Sequence, residues 1–156
     1  MLIYRIMCNF ALQSQIMKKK IFIGMCVALL LTSCAQEYNQ VYKTTDYGYK
    51  YEFAKECFAK GKYGFAVPLL QDLVTIEKGT DNAQECLYML AMAEYGLKDY
   101  QAASETFKKY YQTYPRGQYA EMASFYIGQS LFESTPEPRL DQTPTVAAIA
   151  AFQDYL

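Results

Sequence analysis

Four columns of residues recur along the chain at a fixed spacing of 37. They are Tyr51, Tyr88 and Phe125; Phe53, Leu90 and Ile127; Ala54, Ala91 and Gly128; and Phe58, Tyr95 and Phe132. Two further columns mark the first two units, Tyr63 with Tyr100 and Ala66 with Ala103. Aromatic, aliphatic, small and aromatic positions in constant register leave few folds open. A unit of this length is longer than one helix and holds two, and one pair cannot bury its own apolar face. Stacked pairs bury it against one another, so the pattern predicts a helical solenoid.

Within a unit the period is helical. Leu87, Leu90, Ala91 and Glu94 fall at i, i+3, i+4 and i+7, with the last position polar. Ala103, Phe107, Tyr110 and Tyr114 then recur on one face, while Glu105, Lys108 and Lys109 take the other. Asp81 and Asn82 are placed to cap one helix and Pro115 to stop the next. In the first unit Ala66, Leu69, Leu70, Leu73 and Val74 predict a second helix with Pro68 near its first turn. The third unit departs from the pattern. Its first helix is expected at about Gln118 to Phe132, but Leu140 stands where a small residue is due, and Ala148, Ile149 and Phe152 restore the motif late. The segment 133–145, rich in Pro and Thr, is expected as an inserted loop that cannot be helix. The units are therefore 47–80, 81–117 and 118–156. The spacing Ala54-x3-Phe58-x2-Gly61-x-Tyr63-x2-Ala66, repeated from Ala91 to Ala103, resembles the tetratricopeptide repeat. The expected fold is all-α, a tetratricopeptide-repeat solenoid of antiparallel helix pairs. The usual repeat is about 34 residues, and the loop 77–84 can hold the three more that a spacing of 37 needs.

The N-terminal part follows a different logic. Lys18, Lys19 and Lys20 precede an uncharged run from Ile21 to Leu31, too short to span a bilayer core of about 30 Å. A basic cluster, an apolar run of this length and small residues after it describe a secretory signal peptide. Leu31-Thr32-Ser33-Cys34 resembles the lipobox of bacterial lipoproteins, which implies lipidation at Cys34 and cleavage just before it. Residues 17–33 are then the signal peptide, 34–46 the linker from the lipid anchor, and 1–16 a start-site artefact ahead of translation from Met17. A chain with one cysteine set by chance after an ordinary signal peptide is the alternative.

Residues 34–156 carry 11 Lys and Arg against 16 Asp and Glu, so the mature part is acidic although the whole chain is near neutral. That balance argues against a nucleic-acid partner. The chain has no His and no Trp, and only Cys57 and Cys86 remain beyond Cys34. Two readings of that pair are open, a disulfide or two small core residues, and the second is preferred. Neither a metal site nor a catalytic residue has support in the sequence, and no cofactor is expected.

The stretch YYQTYPRGQYAEMASFYIGQSLF, followed by PEPRLDQTPTVAAIAAFQDYL, resembles the BamD type of outer-membrane assembly lipoproteins, the YfiO family. Tyr114, Pro115, Gly117, Tyr119, Ala120, Arg139, Asp141 and Thr143 carry the match. The resemblance implies a non-enzymatic scaffold, lipid-anchored at the outer membrane and facing the periplasm. Its implied partners are the barrel-assembly outer-membrane protein, other assembly lipoproteins and unfolded β-barrel substrates. Family members are longer, so the natural chain is expected to continue beyond Leu156. By analogy with tetratricopeptide grooves, the first helix of each pair would line the binding face with Tyr51, Lys55 and Phe58, then Tyr88, Met92 and Tyr95, then Phe125, Gln129 and Phe132. Arg139, Asp141 and Thr143 would offer contacts from the inserted loop. Another periplasmic repeat lipoprotein, such as a cell-division factor, is the alternative. Some of the nine groove residues could instead fill contacts between repeats.

Overall fold

The computed structural model describes residues 37–80 and 82–156. The expected signal peptide, the lipidation site Cys34 and the candidate cap Asp81 lie outside the described residues. The chain divides into two units, 1–43 and 44–156. Within the first, residues 37–43 form two helical turns where a plain linker was expected. The rings of Tyr38 and Tyr42 stack there at 5.9 Å.

Among its described residues the second unit has helices joined by turns and loops, and no strand. Its elements are α1 (Tyr47–Ala59), α2 (Tyr63–Ile76), α3 (Ala83–Gly96), α4 (Tyr100–Thr113), α5 (Ala120–Glu133) and α6 (Thr143–Tyr155). Each helix packs on the next in the chain, which gives the antiparallel pairs of the tetratricopeptide fold. Asp46 caps α1 by accepting from the Tyr49 N–H at 3.0 Å, and Asp99 caps α4 by accepting from the Ala102 N–H at 3.3 Å. Asn82 stands at the N-cap of α3, but its side chain makes no capping bond. α4 ends at Thr113, before Pro115.

The small column sits where the helices cross. Ala54, Ala66, Ala91 and Ala103 have no exposed surface, and Gly128 and Ala148 are buried too. A Cβ at Gly128 would come within 2.8 Å of the Phe152 ring, and one at Gly96 would strike the Tyr63 ring. Leu69, Leu70 and Leu73 on α2 are fully buried. Each contributes roughly 1.5–3 kcal/mol relative to an exposed side chain. α3 is buried on most sides, with Cys86, Leu87, Met89, Leu90, Ala91 and Ala93 all inside. Cys57 and Cys86 are both core thiols, and burial pushes Cys86 up to about 12.

Two local expectations need correction. Pro68 lies in the second turn of α2, because that helix already begins at Tyr63. The ring therefore removes one bond that the Gly64 carbonyl would otherwise accept. The inserted segment is also shorter than 133–145. Glu133 closes α5 and Thr143, Pro144 and Thr145 open α6. Proline is tolerated in a first turn, where its missing N–H would have no partner. Asp141 supplies the start signal by accepting from both the N–H (3.0 Å) and the hydroxyl (2.7 Å) of Thr143. Those bonds hold the Asp141 carboxyl below its ordinary value.

The turns between paired helices repeat down to single bonds. Gly61 N–H donates to the Phe58 carbonyl and Lys62 N–H to that of Cys57, at 2.9 and 2.8 Å. In the next unit Lys98 N–H donates to Tyr95 and Asp99 N–H to Glu94, at 2.9 and 3.0 Å. Gly61 has φ +68° and Lys98 has φ +64°. A left-handed backbone costs a residue with a Cβ about 1–2 kcal/mol, and glycine almost nothing. Lys98→Gly should therefore raise stability by about 0.5–1 kcal/mol, read as a higher urea midpoint with an unchanged slope.

Glu94, at 6 % exposure, is a carboxyl buried in the helix core. Its carboxylate accepts from the Thr106 hydroxyl at 2.7 Å. Burial raises its pKa, and Asp99 and Glu105 add to the rise against the opposing bonds from Thr106 and Gln71. A carboxyl raised in the folded state stabilises fully below its unfolded value, near 4.5, and that stability is lost as pH climbs through the folded value. Glu94→Gln keeps the shape and the acceptor without the charge. The variant should melt above wild type at neutral pH, and the gap should close near pH 4 in scanning calorimetry.

Candidate partner-binding face

Nine residues of the first helices were expected to form one face, and their surroundings differ along it. On α1, Tyr51 is buried and its hydroxyl donates to Glu85 Oε2 of α3 at 2.6 Å. Burial first, then that carboxylate, holds the phenol protonated well above its ordinary value. Lys55 lies over the Tyr51 ring at 5.0 Å and reaches Glu85 Oε1 at 3.7 Å. The pair is about one-third exposed on each side, so it contributes ~1 kcal/mol at most. Phe58 is half-buried, with its ring 5.6 Å from Tyr63. The seam between α1 and α3 thus has a polar clasp.

The seam between α3 and α5 is aromatic. Tyr88 stacks on Tyr119 at 4.3 Å with ring planes 9° apart, and meets Phe107 and Tyr110 edge-on at 6.0 and 5.9 Å. Tyr95 meets Tyr100 and Tyr126 edge-on, both at 5.3 Å. Such pairs contribute ~0.5–1.5 kcal/mol each beyond burial. Met92 is half-buried against the same cluster. Gln129 hydrogen-bonds the Tyr95 phenol and donates to Glu133 Oε1 at 3.0 Å. Phe125 is half-buried beside Phe152 and Tyr155, whereas Phe132 is 56 % exposed.

The structure therefore joins Tyr51 with Lys55, and Tyr95 with Gln129, across or along the first helices. Tyr88 and Tyr95 have rings engaged between repeats, and Phe132 is the most open of the nine. The loop residues serve a different place. Asp141 and Thr143 hold the start of α6, and Arg139 is exposed ahead of them. Sequence reasoning missed Glu85 and Tyr126, and named Tyr119 only as a residue of the family motif, without its contact to Tyr88. Tyr119 belongs to the YPRGQYA stretch, whose compactness was the available signal.

That stretch is locked by close fit. Tyr110 Oη accepts from the Tyr119 N–H at 3.1 Å, and its hydroxyl lies 3.4 Å from Gln84 Oε1. Tyr110 is fully buried. A Cβ at Gly117 would come within 2.6 Å of both the Tyr110 hydroxyl and Gln84 Oε1. The bare backbone at Gly117 lets the chain pass close enough to α4 for Tyr119 to reach Tyr88.

Residues 45–156 match the profile of a family described as YfiO, outer membrane lipoprotein. The chain belongs to the YfiO family. The match spans the whole repeat region, from the residue before the Asp46 cap to Leu156. No curated protein matches the sequence. Among the described residues, no helix is long and apolar enough to cross a membrane. YfiO membership therefore gives outer-membrane association to a chain whose described part is a helical repeat.

The fit around Gly117 generates a test within this YfiO chain. Gly117→Ala should destabilise it by about 1–3 kcal/mol, through displacement of Tyr110 or Gln84. Gly64→Ala inside α2 is the control, since its Cβ would meet nothing within 4 Å. That change should be neutral or stabilising by up to ~1 kcal/mol. Urea midpoints of both variants decide it.

Proposed function

We propose that this protein is a lipid-anchored scaffold of outer-membrane β-barrel assembly. It is tethered through Cys34, faces the periplasm, and holds the barrel-assembly protein or an unfolded barrel substrate on its first-helix face. The reading is supported by YfiO membership over 45–156. The observation that carries it further is the graded exposure of that face. Half-buried rings at Phe58, Tyr88, Tyr95 and Phe125 lead to an open Phe132. Rings fixed by their neighbours present apolar edges at little entropic cost, which suits capture of an extended, variable peptide. Met92 adds an adaptable apolar contact among them.

Truncating Tyr88 or Tyr95 would disturb the seam between repeats, so those residues are poor probes of binding alone. Phe132 is the better one. Phe132→Ala should weaken capture of an unfolded barrel peptide about tenfold, which corresponds to ~1.4 kcal/mol. Its circular dichroism melt should match wild type. Lys108→Ala and Lys109→Ala, exposed on α4, should leave affinity unchanged. Unchanged affinity in Phe132→Ala, measured by fluorescence anisotropy, would place the peptide elsewhere. Pull-down of division proteins in place of the barrel-assembly protein would favour the other kind of periplasmic scaffold.

A further inference from the structure

We infer that the Tyr38–Tyr42 pair is a membrane contact that rests in the headgroup layer beside the lipid anchor. The inference depends on the reading of Cys34 as the acylated residue. Chain length sets the first constraint. A residue advances the backbone by at most ~3.6 Å, so Tyr38, four positions after Cys34, stays within ~14 Å of the anchored cysteine on any path. Residues 37–43 are helical, so Tyr42 lies only ~6 Å further along. The headgroup layer of each leaflet is ~5–8 Å deep, given a core of about 30 Å in a bilayer of about 40–45 Å. Both rings are therefore within reach of that layer once the acyl chains are buried, and neither backbone position can lie more than ~20 Å from the anchored cysteine.

Side-chain chemistry sets the second constraint. The two rings lie one helical turn apart on one face and stack at 5.9 Å. Tyr42 is half exposed and Tyr38 partly so. Tyrosine has an apolar ring and a polar tip, which is why it concentrates where lipid meets water. The other side chains of these turns are Glu37, Asn39, Gln40, Val41 and Lys43, with one acid and one base. No net charge draws this segment to anionic lipid, so the contact is apolar and dipolar, and added salt should not release it. Such a contact supplements acyl chains that hold only marginally when single.

The chain contains no tryptophan, so one introduced indole reports on one site. Tyr38→Trp and Tyr42→Trp would each be made in the full acylated protein. Each would be placed in phosphatidylethanolamine–phosphatidylglycerol vesicles carrying bromines high on the acyl chains. Tyr111→Trp on α4, where the tyrosine is exposed, is the reference. Both reporters should be blue-shifted and quenched about twofold or more relative to Tyr111→Trp, with no change as ionic strength rises. Emission like that of Tyr111→Trp, in a chain whose intact mass shows acylated Cys34, overturns the contact and leaves the anchor standing. A blue shift without quenching also overturns it and assigns the rings to a second copy or a partner protein. A mature chain without acyl mass overturns both readings, and the mass shows that the anchor failed first.

Discussion

The close crossing of paired helices is the interaction on which the rest depends. Three pairs place a small residue on each side of the crossing: Ala54 with Ala66, Ala91 with Ala103, and Gly128 with Ala148. Methyl-sized or bare side chains let the backbones approach, and large neighbours then fill the flanks. Phe152 lies against Gly128 in this way, and Tyr63 against Gly96. A leucine at Ala103 would force the helices apart and disturb both flanks together, at a cost of about 1–3 kcal/mol. Because each pair then offers a similar surface to the next, one solution at the crossing propagates along the solenoid.

The repeat was visible in the sequence because that crossing tolerates so few residue types. Small residues at 54, 91 and 128 mark it directly, and the ring columns at 51, 88 and 125 follow in register. The late motif at Ala148 and Phe152 showed the insertion for the same reason. The ends of the insertion were less visible. Thr143, Pro144 and Thr145 read as loop residues, yet a proline in a first turn gives up no bond, and the Asp141 carboxylate completes the start. Lys98 is the converse case. Nothing about lysine announces a left-handed backbone, but Gly61 stands 37 residues earlier with nearly the same φ. Register carries information there that residue type does not.

The binding face was harder to read, since one helix face does two jobs. Tyr88 and Tyr95 are seven residues apart and point the same way, whether toward a groove or toward the next pair. Periodicity cannot separate those uses. What separates them is the partner supplied from elsewhere: Tyr119 from the loop before α5, and Tyr126 from α5 itself. Phe132, at the far end of α5, has no comparable ring contact among the described residues and stays open. The aromatic columns are therefore first a device for joining pairs, and only their uncovered edges are free for a partner.

The two seams differ in physical character, and this bears on how such a scaffold holds its shape. Tyr51, Glu85 and Lys55 join α1 to α3 through a hydrogen bond and a partly exposed ion pair. Salt screens the ion pair, and each side chain loses entropy in making it. Tyr88, Tyr119, Tyr126 and Tyr95 join α3 to α5 through ring contacts that salt does not weaken, backed by the fully buried Phe107 and Tyr110. In a solenoid whose stability is a sum of units and interfaces, the firmer interface sets which units act as one body. Pairs two and three meet through that aromatic seam, and pair one is held to pair two by the polar seam together with the packing of α2 on α3, where the Tyr63 ring lies against Gly96. The rings leading to Phe132 keep their mutual geometry through those contacts, whatever the ionic strength.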